Sequence, residues 1–214
     1  MMEENDFYKD YLVKASWRAA PHGLEGVADL FTRQMKAFGA LHPKLRKWFY
    51  INPAPEKHVL DQDLDDVRPF VELSHGELLR LIVDYTGLVH DEKEASEADF
   101  FICADNGLRC TREGAGLVMS GSRFSRSWEC PYEMVFQTQR TIDPERSLIA
   151  YPLMYGIVSS FIDLCRPDFV QARPRKLLQV LGPAPPFHPG WIIALSPEYA
   201  DQIVAPLTSY NERR

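Results

Sequence analysis

What this 214-residue chain lacks narrows its class before any motif is considered. Its four cysteines, Cys103, Cys110, Cys130 and Cys165, lie far apart and form no C-x-x-C pair. That spacing argues against a zinc ribbon or a thioredoxin-like redox motif, and reduced thiols are expected. Cys103 and Cys165 sit in apolar runs and read as core residues. No apolar run approaches the ~20 residues that a bilayer-spanning helix needs. The opening MMEENDFYKD is acidic and polar, without the basic and apolar regions of a secretory signal, so a cytoplasmic protein is expected. There is no G-x-S-x-G elbow, no P-loop, no G-x-G-x-x-G and no H-E-x-x-H. The histidines, at 22, 42, 58, 75, 90 and 188, are scattered, and none pairs locally with a second ligand. No catalytic residue, metal or cofactor is therefore assigned.

What is present describes an ordinary globular chain, 45% hydrophobic and 25% charged, of a length that suits one domain over residues 1–214. The net charge of −6 is unevenly placed. Residues 56–99 hold 13 acidic and 4 basic side chains, a local charge of −9, and the remainder totals +3. An acidic segment disfavours direct nucleic-acid binding and suits a basic partner.

Periodicity supplies the elements. Tyr11, Val13 and Ala15 alternate with Leu12, Lys14 and Ser16 ahead of Trp17, which predicts an opening strand. Leu24, Val27, Ala28, Phe31, Met35, Phe38 and Leu41 recur at steps of three and four, the signature of a long amphipathic helix. Pro43 breaks it, and Leu45, Trp48 and Phe49 resume the spacing as a second short helix. Ser74 and Glu77 fit a capping box opening a helix that ends near Gly87. Strands are expected at 100–104, ahead of an Asn106-Gly107 turn, weakly at 117–119, and at 133–140 with Met134, Phe136 and Thr138 on one side. Asp143-Pro144 opens a last long helical pattern, from Ala150 to Cys165, that Arg166-Pro167 ends. Residues 191–195 read as a final buried strand. Helices clustered against strands, rather than alternating with them, predict an α+β fold: a largely antiparallel sheet with helices packed mainly on one face.

Two sets of residues are candidates for recognition. The acidic set comprises Asp61, Asp63, Asp65 and Asp66, with Asp91, Glu92, Glu94 and Glu97. Its first half mimics a calcium loop, with Glu72 at the twelfth position. However, Asp66 stands where that loop needs glycine, and Pro69 is at the ninth position. A solvated acidic loop or a partner-binding surface fits better. The second set, Arg123, Arg126, Trp128 and Tyr132, lies in the polar stretch SRFSRSWECPYE, which reads either as a structural loop or as a recognition surface, since arginine and aromatic side chains together suit an interface. Trp48 and Trp191 lie in apolar runs and read as core.

The order of these features resembles the immunity protein 52 family of bacterial toxin systems. The residues that carry the resemblance are Trp17 in the opening strand, the helix from Leu24, and the run from Pro43 through Leu45, Arg46, Lys47, Trp48 and Phe49. Arg166, Pro167 and Asp168 after the late helix, and Gly190, Trp191, Leu195 and Ser196 around the last strand, complete it. The resemblance implies a non-catalytic inhibitor of a cognate toxin, commonly a restriction-endonuclease-like nuclease delivered by a type VI or related secretion system. It implies a toxin with a basic surface as partner, and neither direct nucleic-acid binding nor a membrane. Two other readings stay open. One is an adaptor or structural protein of a secretion system; the other is an enzyme whose site is assembled from the acidic segment with His58 or His75.

Overall fold

A computed structural model describes residues 11–18, 23–50, 58–61, 100–108, 114–121, 130–138, 147–175 and 191–201. Its elements are β1 (Tyr11–Trp17), α1 (Gly23–Leu41), β2 (Lys47–Tyr50), β3 (His58–Asp61), β4 (Phe101–Asp105), β5 (Ala115–Gly121), β6 (Tyr132–Thr138), α2 (Tyr151–Cys165), β7 (Phe169–Pro174) and β8 (Ile192–Leu195). The eight strands form one sheet in the order β3-β2-β4-β5-β6-β1-β7-β8, and every neighbouring pair is antiparallel. The fold is α+β, as the arrangement of helices and strands in the sequence predicts.

Register explains which face is core. Val13 stands opposite Phe136 on one side and Ala172 on the other, Met134 faces both Ala15 and Met119, and Leu117 faces Ala104. All of these side chains are buried in one cluster, because residues two apart on a strand share a face. Both helices lie on that face. Phe38 of α1 is the hub: its ring meets Phe136 of the sheet at 5.2 Å, Phe161 of α2 at 5.6 Å and Trp48 at 6.3 Å. The buried positions of α1 include Val27, Ala28, Phe31, Met35 and Phe38, the face that its periodicity predicts. Leu41 departs from it, being half-exposed at the last turn.

The predicted break is where it should be. His42 is extended (φ −153°, ψ 133°) because Pro43 excludes the helical region for the residue before it. A short 3-10 turn, Pro43–Leu45, follows. The second helix predicted beyond Pro43 does not form: Lys47–Tyr50 is strand β2, with Trp48 and Tyr50 buried in the core and Phe49 turned to the other face. Aromatic side chains favour the pleated surface, and the Trp48 Nε1–H donates to the Leu45 carbonyl at 2.9 Å, fixing the turn into the strand.

Elsewhere, Gly107 adopts φ +74° in the turn after β4, and the Asp105 carboxylate accepts from the Gly107 N–H at 2.8 Å. Helix α2 ends on Arg166 in the left-handed region (φ 44°), ahead of Pro167, as predicted. Strand β7 was not foreseen. Strand β8 is at an edge and only partly buried: Ile192 and Ala194 pack against the core, whereas Ile193 and the neighbouring Trp191 are exposed, so the run is not the buried strand that its apolar character suggests. Cys103 and Cys165 are half-buried rather than fully enclosed, whereas Cys130 is buried. The helix predicted over 74–87, and most of the calcium-like stretch, lie outside the described residues.

Candidate interaction surface

The sheet has two faces of different chemistry. Opposite the helices, β1, β6 and β7 present Lys14, Ser16, Glu133, Gln171 and Arg173, which alternate with the core positions. The Lys14 ammonium pairs with the Glu133 carboxylate, and the Ser120 hydroxyl donates to the same carboxylate at 3.4 Å. Ser16, Gln171 and Arg173 are buried, and Arg173 is only 4% exposed. Among the described residues its Nε and Nη1 have no hydrogen-bond partner, and burial pushes its pKa below the usual arginine range. The Gln171 Oε1 likewise has no partner among the described residues.

At one end of this face, a bend joins α2 to β7. The Asp168 carboxylate accepts from the Arg18 backbone N–H at 2.8 Å and from its Nη2 at 2.7 Å. The hydrogen bond and charge of Asp168 hold the Arg18 guanidinium above its ordinary pKa. Arg18 also lies over the Tyr199 ring, 5.7 Å from its centroid, and Tyr199 stacks on Phe169 at 6.0 Å. These contacts fasten β1 to β7 and to the helical residues 197–201. That gives Asp168 a structural role within the Arg166-Pro167-Asp168 motif.

The predicted recognition residues fare unequally. Asp61 closes β3, the edge strand at the β3 end of the sheet, where its backbone pairs with Lys47. Asp63, Asp65, Asp66, Asp91, Glu92, Glu94 and Glu97, together with Arg123, Arg126 and Trp128, lie outside the described residues. Tyr132 is not on an exposed loop. It begins β6, is 7% exposed, and stacks on Phe100 with centroids 6.2 Å apart. The position opposite Trp17 draws its ring into the core face, so it serves the sheet rather than an open recognition surface.

The sequence reading passed over a different group. Tyr151, Tyr155 and Trp191 are 50%, 55% and 45% exposed, and Tyr151 touches both of the others. Tyr151 stacks on Tyr155 at 6.2 Å and meets Trp191 edge-on at 5.3 Å, and Trp191 leans on Tyr11 at 5.5 Å. The available signal was composition: no charged residue occurs between positions 147 and 162. A helix that is apolar on all sides has more apolar surface than one core face can cover.

No group of three or more His, Cys, Asp or Glu able to hold a metal ion occurs among the described residues. No helix among them is long and apolar enough to cross a membrane. Compared with known protein families and with curated proteins, the chain matches none.

Proposed function

We propose that the chain is an immunity-type inhibitor, which binds and neutralises a cognate bacterial toxin. The toxin we favour is a nuclease effector of a type VI or related secretion system, met in the cytoplasm. The observation that carries this reading is the concentration of negative charge: residues 56–99 total −9 in a chain whose remainder is +3. A nuclease surface is basic because it must hold phosphates, and an acidic surface complements it. The acidic stretch enters through β3, an edge strand of the sheet. An edge is where a sheet offers backbone groups and side chains to another molecule. The order of elements that resembles the immunity protein 52 family supports the same reading.

The test is kinetic. Replacing Asp63 and Asp65 together by lysine should slow association with the toxin and weaken the salt dependence that charge attraction confers, by about tenfold or more in on-rate at low salt. Association rates that match the unaltered protein at every salt concentration would remove the acidic segment from the interface.

A further inference from the structure

We propose that the outer face of strand β7 holds a binding site for a small anion, in which Arg173 takes the charge and Gln171 takes a hydrogen bond from the same ligand. The site is independent of the inhibitor reading. Strand β7 is six strands from β3, roughly 29 Å across the sheet at the usual strand spacing, so it is far from the start of the acidic segment.

The first observation is a buried cation without a counterion. Arg173 is 4% exposed, and its Nε and Nη1 have no hydrogen-bond partner among the described residues. A guanidinium does not shed its charge by losing a proton, so its burial calls for an anion. Register shows that the nearby carboxylates do not supply one. Arg173 is level with Leu12 of β1 and, beyond it, with Gln137 of β6, whereas Glu133 is level with Ser16. Four residues along and two strands across place the Arg173 and Glu133 backbones about 16 Å apart, more than the two side chains span. Glu133 is in any case paired with Lys14. Asp168, five residues before Arg173, is held by Arg18. The Gln137 amide lies against Gly116 of β5, on the side of β6 away from β1.

The second observation is an acceptor left over beside that cation. Gln171 is two residues before Arg173 and on the same face, and its buried Oε1 has no partner among the described residues. Arg173 needs an acceptor and the Gln171 oxygen needs a donor. One ligand meets both needs if it carries a charged oxygen next to an O–H or N–H. A phosphate group that keeps one proton and an α-hydroxy carboxylate both do so, whereas sulfate and acetate, fully ionised at neutral pH, carry no donor. Burial strengthens the attraction, because charges interact more strongly away from water. Ile193, opposite Gln171 on the edge strand β8, is exposed, so this side of the face borders solvent. Buried polar groups that lack partners are found where they serve binding rather than stability.

Isothermal titration calorimetry of the full chain at neutral pH and fixed ionic strength tests the site, with phosphate, sulfate, glycolate and acetate as probes. The unaltered chain should bind phosphate or glycolate saturably, with a dissociation constant of about 1 mM or lower, and the tighter of the two names the ligand class. Sulfate and acetate should bind at least about tenfold more weakly. Arg173→Met should abolish binding. Arg173→Lys, which keeps the charge without the planar donors, should weaken it by about tenfold or more. Gln171→Leu should erase the preference for phosphate over sulfate. Circular dichroism of the variants confirms folding. The proposal is overturned if no probe binds saturably up to about 10 mM. It is also overturned if binding is unchanged in both Arg173 variants, which would mark an adventitious ion only. Sulfate bound as tightly as phosphate by the unaltered chain would overturn the part assigned to Gln171.

Discussion

Phe38 holds the helical layer to the sheet, and shortening it is the most informative perturbation of the fold. Its ring is fully buried and has aromatic neighbours on three elements, Trp48 on β2, Phe136 on β6 and Phe161 on α2. Phe38→Ala removes that ring from a site whose neighbours are anchored by separate backbones, so the space cannot close around the loss. Core Phe→Ala substitutions cost about 3–5 kcal/mol, and three edge or tilted ring contacts place this one in the upper half of that range. In a chain of this size, about 4 kcal/mol lowers the melting temperature by roughly 8–16 °C. Phe38→Leu keeps most of the volume and should cost no more than about 1.5 kcal/mol. Urea denaturation followed by tryptophan fluorescence reads both, since Trp48 lies within the cluster. An alanine variant within about 1 kcal/mol of the unaltered chain would refute the placement of α1 on the sheet.

Other expectations follow from single contacts. Trp48→Phe keeps an aromatic ring but removes the indole N–H from the Leu45 carbonyl, and should cost about 1–2 kcal/mol in the same assay. No loss beyond the small volume change would show that bond to be dispensable. Arg173→Met replaces a buried guanidinium, whose Nε and Nη1 have no partner among the described residues, by an apolar chain of similar reach. Thermal stability should be unchanged or higher, and a marked drop would mean that the charge is compensated. Burial pushes the Cys165 thiol up to about 12 from an ordinary value near 9. The folded protein therefore keeps the proton that the unfolded chain gives up, and the stability Cys165 contributes below pH 9 declines as pH rises from 9 towards 12. In the native state at pH 8, Cys165 should resist a thiolate-directed alkylating reagent, as mass mapping of the modified sites would show; rapid labelling would contradict the burial.

Where the sequence and the structure agree, one periodic pattern had one physical meaning. Helix α1 spans five turns, so its apolar spacing admits no other element, and Pro43 dictates where it stops. In β1 and β6 the alternation is legible, though Leu12 and Val135 interrupt it, because one face meets the helices and the other carries charged and polar groups such as Lys14 and Glu133. Misreadings arose where a short run fitted two periods. Leu45, Trp48 and Phe49 fit a helical step, yet Trp48 and Tyr50 also fit a strand, and only pairing with β3 and β4 decides between them. Strand β7 was hidden because Gln171 and Arg173 are polar side chains buried on the second face, so polarity did not mark exposure. Trp191 was misplaced for the opposite reason: an apolar strand looks the same at the edge of a sheet as at its centre. The exposed aromatic group was written in the sequence as a stretch, 147–162, without charge, but which side the core would cover depends on how α2 rests on α1.

Toxin neutralisation is decided by co-purification followed by a nuclease assay. The chain would be recovered from its own cells with whatever remains bound, and the partner assayed before and after the chain is stripped away under mild denaturation and the partner refolded. The expected partner is one whose nuclease activity appears only after separation and disappears when the purified chain is returned. A bound partner without nuclease activity in either state, or one equally active in the complex, would contradict it.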